Sequence, residues 1–154
     1  VIENFEAGKD ITQLHLGGWD TLGQQAGEVR TAVFVQEQGI DAQDEWDAMD
    51  AQSLHAVLVN GLGQAVATGR LLPSDNGQAK IGRMAVLRVL RGTGQGGRIL
   101  QALCAQALAR GDTEVFLHAQ RSSQAFYNAL GFSAVGEPFM EVGIAHVSMS
   151  KRLG

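Results

Sequence analysis

The densest cluster of unusual residues in the chain is Arg91-Gly92-Thr93-Gly94-Gln95-Gly96-Gly97-Arg98, four glycines in six positions with an arginine at each end. Glycines let a backbone come close to an anion, and a helix that starts in such a loop points free N–H groups at it. The two arginines add positive charge. An ordinary turn needs fewer glycines, so the stretch reads as a cradle for a phosphate or pyrophosphate. It is not a Walker A loop, because no Lys-Ser/Thr pair follows. Gly92, Gly94 and Gly97 fit the dinucleotide spacing G-x-G-x-x-G, with Asp112 further on. That motif needs repeated βαβ units and a glycine directly behind the strand, whereas here Arg88 to Arg91 intervene. Outside the loop, the side chains able to move a proton are the single tyrosine, Tyr127, together with Glu37, His118 and His146.

The elements that must position these groups follow from hydrophobic period. Ile11 to Leu16 alternates and reads as a first strand. From Asp20, an N-cap by type, Leu22, Ala26, Val29 and Val33 recur at helical spacing as far as the stop at Gly39. Leu54 to Val59, Ala65 to Leu72 and Lys80 to Leu87 read as three strands joined by short turns. After the glycine loop, Ile99, Leu100, Leu103, Cys104, Ala107 and Leu108 form the buried stripe of a helix that Gly111 ends. A strand over Thr113 to His118, a helix over Ser122 to Leu130 with Phe126 and Leu130 on one side, and strands over Ser133 to Gly136 and Ala145 to Lys151 complete the chain. A meander followed by one βαβ crossover predicts an α+β fold, a mixed, mostly antiparallel central sheet flanked by helices, in a single domain over residues 1–154.

Composition narrows the function. With 45% hydrophobic and 18% charged residues the chain is globular. Sixteen acidic against 12 basic residues, a net charge of −4, argue against a nucleic-acid binder. No apolar run is long enough for a membrane span and no secretory leader is visible, which points to a cytoplasmic protein. A lone cysteine excludes a disulfide framework and a multi-cysteine zinc site, and no metal is expected. Cys104 falls on a buried helical stripe and reads as a small hydrophobe. The acidic run Asp41 to Asp50 lacks the central glycine and terminal Glu of a calcium loop. It reads as a solvated loop, with an electronegative rim of Glu45, Asp47 or Asp50 for a cationic amine as the functional alternative. His15, His55, Trp19 and Trp46 read as structural.

Arg91-x-x-Gly94-x-Gly96 resembles the R/Q-x-x-G-x-G/A loop of the GNAT superfamily of N-acetyltransferases. Ile81 to Leu87 looks like that family's fourth strand, and Ala125-Phe126-Tyr127-Asn128-Ala129-Leu130-Gly131-Phe132 like its F-Y-x-x-L-G-F segment. Val33 to Gly39, His118-Ala119-Gln120 and Gly143-Ile144-Ala145-His146 resemble the ElaA/YjcF-like branch, with Ala145 where the branch usually has proline. The similarity runs from about residue 20 to 150. It implies an acetyl-coenzyme A-dependent N-acyltransferase acting on a small-molecule or peptide amine, the alternatives being a non-catalytic coenzyme A-binding sensor module of the same fold or, on the Gly92, Gly94 and Gly97 spacing alone, a small dinucleotide-binding oxidoreductase.

On that resemblance, residues 91–98 hold the pyrophosphate, and the backbone of Met84, Ala85 and Val86 pairs with the pantetheine arm and polarises the carbonyl. Tyr127 becomes the general acid for the leaving thiolate, the alternative being a core tyrosine beside Phe126 and Phe132. Glu37 or His146 becomes the general base, with His118 or a water chain as substitutes. For Glu37 the alternative is a solvated carboxylate, or a partner for Arg70 or Arg83. Oligomeric state is left open, a homodimer through the last strands being common in such folds.

Overall fold

The computed structural model describes residues 12–154. Seven strands form one sheet: β1 (Gln13–Gly17), β2 (Leu54–Val59), β3 (Ala65–Leu71), β4 (Gln78–Val86), β5 (Glu114–Gln120), β6 (Ser133–Glu141) and β7 (Ile144–Arg152). Their spatial order is β1-β2-β3-β4-β5-β7-β6. Neighbours are antiparallel except β4 and β5, which are parallel and joined by the expected crossover helix. Ile11, expected in the first strand, lies outside the described residues. The last two strands are longer than their sequence patterns indicate. Gly136, Glu137 and Pro138 interrupt the alternation of β6, and the register shift between Val135 and Phe139 absorbs them. Pro138 is tolerated because β6 is an edge strand.

Helices cover both faces. Helix α1 (Trp19–Arg30) runs on without a break into a π-helical turn, Thr31–Glu37. Its cap is Gly18, in extended backbone, and Asp20 sits instead in the first turn, where its charge suits the helix dipole. Leu22, Ala26, Val29, Val33 and Phe34 bury against Val57, Val59 and Ala65 on one face. Helix α3 (Gln95–Ala109) lays Ile99, Leu100, Leu103 and Ala107 on the other, against Ala56, Leu58, Val66, Ala67, Leu71 and Ile81. Leu108, expected in that stripe, turns past its edge and is 49% exposed. Ser122 to Leu130 forms a short 3-10 turn followed by α4 (Gln124–Ala129). The side chain α4 buries is Tyr127, while Phe126 is left 38% exposed.

The acidic run is not a solvated loop. It folds into a short helix, α2 (Ala42–Glu45), and a 3-10 turn, Ala48–Gln52, and turns Glu45, Asp47 and Asp50 onto three arginines, while Asp41 and Asp44 stay exposed. Arg30, 1% exposed, donates to Glu45 Oε1 and to both oxygens of Asp50, at 2.7 and 3.0 Å. Arg70 donates to Asp50 at 2.8 Å and to both oxygens of Asp47 at 2.7 and 2.9 Å. Arg83 reaches the Glu45 carbonyl at 3.0 Å and Asp47 at 3.2 Å. Trp19 and Trp46 flank the Arg30 guanidinium at 5.3 and 5.0 Å, and His55 Nε2 donates to the Asp50 carbonyl at 2.8 Å. Three carboxylates matched to three guanidiniums leave little net charge for an electronegative rim.

Arg83 belongs to a β-bulge. Thr68 pairs with Ala85 and Arg70 with Gly82, so Arg83 and Met84 together oppose Gly69, with Arg83 at φ +51°. A Cβ on Gly69 would sit 2.6 Å from Met84 Sδ and 2.8 Å from Ile99 Cγ2, so only glycine fits under the bulge. The extra residue inverts the faces of β4. Ala79 and Ile81 face α3 before it, and Ala85 faces α1 after it.

The network makes two stability predictions. Asp50→Asn leaves Arg30 and Arg70 short of a buried counter-charge, which costs about 3–5 kcal/mol, read as a lower urea midpoint. The Arg70 guanidinium bonded to Asp47 is the main cause that holds its carboxyl down from 3.8 to about 2. A depressed folded-state value contributes stability that is complete above the unfolded value and lost as pH falls through the folded one. Unfolding scans should therefore show stability dropping from about pH 4 to about pH 2, and Asp47→Asn should flatten that part of the curve.

Candidate active site

β4 and β5 are hydrogen-bonded only at Gln78–Lys80 against Glu114–Phe116. Beyond Lys80 they part, and a cavity of about 990 Å³ occupies the opening. Ile81 to Val86 line one wall and Leu117, His118 and Gln120 the other. The end of the π-helical turn, with Phe34, Glu37 and Gln38, closes one side, and Tyr127 with Phe126 the other. The glycine loop lies at one end, and Glu141 with His146 at the wall beyond β5.

The loop has the backbone that its composition requires. Gly92 and Gly94 have φ of +81° and +87°, which side-chain-bearing residues rarely adopt. Gly94 caps α3, so the N–H groups of Gln95, Gly96 and Gly97 have no acceptor within the helix. The cap of a 15-residue helix thus faces the cavity with free donors and a positive dipole end. A Cβ on Gly96 would meet Phe126 Cζ at 3.2 Å, whereas one on Gly97 meets nothing within 4 Å. Gly92, Gly94, Gln95 and Gly96 line the cavity, and Thr93, Gly97 and Arg98 do not. The Thr93 hydroxyl turns back to the Leu90 carbonyl, and Arg98 bonds Thr12.

Arg91 lines the cavity but its guanidinium is taken by protein. Nη1 and Nη2 each donate to a Glu37 oxygen at 2.6 Å, and Nε donates to the Val86 carbonyl at 3.0 Å. Arg88 Nη2 stands 3.4 Å from the same carboxylate. The Arg91 hydrogen bonds are the main cause that holds Glu37 below the usual carboxylate range. The partners that the sequence suggested for Glu37, Arg70 and Arg83, belong to the buried network instead. Beside this pair, Gln38 and Gln120 exchange amide hydrogen bonds at 3.2 and 2.9 Å across the opening.

Tyr127 is 7% exposed, set edge-on between Phe126 and Phe132. Burial pushes its phenol well above the ordinary value, so it stays protonated wherever the fold survives. The remaining polar groups lie where β5, β7 and β6 meet. Gln120 is paired with His146 and His146 with Phe139. His118 Nδ1 is 3.0 Å from Glu141 Oε1, and His146 Nε2 is 3.9 Å from Glu141 Oε2. His146 Nδ1 is 2.7 Å from the Ile144 carbonyl, which can only accept, so this nitrogen carries a proton, and in the neutral ring the lone pair is on Nε2.

The fold therefore brings Met84, Ala85, Val86, Arg91, Gly92, Gly94, Gln95, Gly96, Glu37, Tyr127 and His146 around one cavity. Two partners escaped the sequence. Glu141 lies past the point where the pattern of β6 breaks. Gln38 is one glutamine among several, and only its contact with Gln120 sets it apart.

The Acetyltransferase (GNAT) domain family matches residues 23–153 of the chain. The uncharacterized N-acetyltransferase YjcF of Bacillus subtilis is 36% identical over 124 residues, covering 80% of this chain and 87% of YjcF. The crystal structure of Escherichia coli ElaA superposes with a TM-score of 0.80 at 28% identity, over 91% of this chain and 99% of that one. An acyl-CoA N-acyltransferase from Pseudomonas aeruginosa does so with a TM-score of 0.79 at 33% identity, over 91% and 99%. A glycine-loop helix cap opening on a parted β4–β5 pair, and sequence likeness over most of the chain, lead to one conclusion: this chain belongs to the GNAT acetyltransferase family, in the branch that includes YjcF and ElaA.

Proposed function

We propose that the protein transfers an acyl group, acetyl in the first instance, from coenzyme A to a primary amine on a small molecule or peptide, by direct attack while both substrates are bound. The observation that carries this reading is the parted strand pair with the Gly94-capped helix at its mouth and a buried phenol in its wall. The residues fit the coenzyme. The cavity, about 990 Å³, has the size of a cofactor site. The loop offers glycine backbone and free N–H groups to a pyrophosphate. The unpaired edge of β4 beyond Lys80 offers main-chain groups to an amide-containing arm.

Acyl-coenzyme A supplies a thioester whose carbonyl an amine can attack and whose sulfur leaves as a thiolate. The chain's own groups do the rest. Backbone N–H groups released by the bulge at Arg83 and Met84 polarise the carbonyl oxygen, a role independent of side-chain type. Tyr127 holds its proton and donates a hydrogen bond to the sulfur as charge collects there in an apolar wall. His146 in its neutral form takes the ammonium proton on Nε2, with the Glu141 carboxylate 3.9 Å from that nitrogen and His118 bonded to the same carboxylate. Glu37, held as an anion by Arg91, is a weak base. Burial pushes the Cys104 thiol up, and its place on α3 supports a mechanism without a covalent enzyme intermediate.

A saturating dose of acetyl-coenzyme A, about 100 times Kd, should raise Tm by roughly 5–10 °C, with no shift from NAD or ATP. Gly94→Val should abolish that shift in a protein that still melts cooperatively. Gly97→Ala should melt about 1–3 °C higher than the parent, because alanine suits a helix better and meets nothing there. A parent protein that folds but shifts only with NAD removes the acyltransferase reading. Tyr127→Phe should keep coenzyme binding and lose on the order of 10²-fold in kcat, measured by release of free thiol with an amine acceptor. Unchanged turnover would return Tyr127 to the core.

A further inference from the structure

We infer that Glu37 and Gln38 are positioning residues: a two-point strap across the mouth of the cleft, which fixes the cofactor loop through Arg91 and the acceptor wall through Gln120. The inference rests on the acyltransferase reading for what the two sides hold, but the strap itself is a matter of geometry.

Adjacent residues at the end of one element reach opposite arms of the parted sheet. Glu37 goes to Arg91, which is also bonded to the last residue of β4, Val86. Gln38 goes to Gln120, the last residue of β5. Beyond Lys80 no ladder joins these strands, so their separation at the loop end has to be set by other contacts. The strap is placed to set it. A single ordinary surface ion pair would be too weak to do so. This one is bidentate, and Arg91 has every nitrogen engaged. The paired amides add two hydrogen bonds that need both side chains at full length.

The π-helical turn makes the reach possible. The Gln38 N–H bonds the Val33 carbonyl, five residues back, at 3.0 Å. The wider turn lets Val33 and Phe34 stay in the core while Glu37 and Gln38 face the cleft. With three of its five N–H groups bonded to Glu37 and Val86, Arg91 acts on the pyrophosphate chiefly through the loop it holds, and the backbone N–H groups meet the anion. Glu37 accordingly serves to position the loop, in place of the base role its sequence position suggests.

The test compares Glu37→Gln, Gln38→Ala and the pair Glu37→Ala and Arg91→Ala, singly and combined, in the full chain. In the protein without ligand, hydrogen–deuterium exchange should speed up by an order of magnitude or more at the amides of Arg91, Thr93 and Arg98, which are bonded to the Arg88, Leu90 and Gly94 carbonyls, in Glu37→Gln, while Tm moves little, because the pair lies at the surface. This readout is independent of activity and survives even if the coenzyme assignment fails. With coenzyme, Glu37→Gln should weaken acetyl-coenzyme A binding about tenfold by calorimetry and keep the acid limb of the kcat–pH profile. Gln38→Ala should raise the KM of the amine at unchanged coenzyme affinity. The double alanine variant should be no worse than Arg91→Ala alone. Unchanged exchange at Arg91, Thr93 and Arg98 overturns the strap. So does loss of the acid limb with coenzyme affinity intact, which would make Glu37 the base.

Discussion

A parallel strand pair that pairs over three residues and then opens is the constraint on which this structure turns. A sheet interior normally satisfies every backbone group on both edges of a strand. β4 keeps its partner β3 on one edge, and past Lys80 it has no strand on the other. The bulge at Arg83 bends β4 at that point and reverses which side chains face which layer. Arg83 could not hold a left-handed backbone cheaply without compensation. Its guanidinium is bonded to the carbonyl of Glu45, the last residue of α2, and to the Asp47 side chain just beyond it, and Gly69 clears the space beneath.

The buried arginines and carboxylates therefore serve the cleft indirectly. They bring residues 41–52, which carry little apolar surface, onto the flank of the sheet, and they pin the bulge from outside. Burying three guanidiniums is costly unless each is fully paired. Arg30 meets this with Glu45 and Asp50, and with indole rings against it, whereas Arg70 shares Asp50 and bonds Asp47 but leaves its buried Nε without an acceptor among the described residues. The arrangement trades a hydrophobic contact, which could slide, for directional bonds that cannot.

Opening the sheet also joins its two faces. The glycine-capped helix and Tyr127 belong to the layer carrying α3, while Glu37 and Gln38 come from the α1 layer opposite. His118, Gln120 and His146 sit between them on β5 and β7. A ligand threading the gap meets anion-binding backbone at one end and imidazole and carboxylate at the other. The π-helical turn that follows α1 borders the cavity with Glu37 and is followed by Gln38.

Much of this was legible in the residues themselves. Period-2 and period-3.6 patterns locate every strand and the long helices, since those patterns report the side facing the core. Glycine spacing locates the loop that caps α3, because Gly92 and Gly94 answer a local backbone demand that neighbours in sequence impose. What stayed hidden depends on partners far along the chain. Asp41 to Asp50 looks solvated because nothing nearby reveals Arg30, Arg70 and Arg83 as its counter-charges. Glu37 looks like a free carboxylate until Arg91, 54 residues on, takes both its oxygens. Gln38 with Gln120, and Glu141 with its two histidines, follow the same rule. Local backbone and core-facing side chains are determined by sequence because their physics is short-ranged. Which charges pair, and so which groups are left free to do chemistry, is decided only when the sheet brings distant segments together.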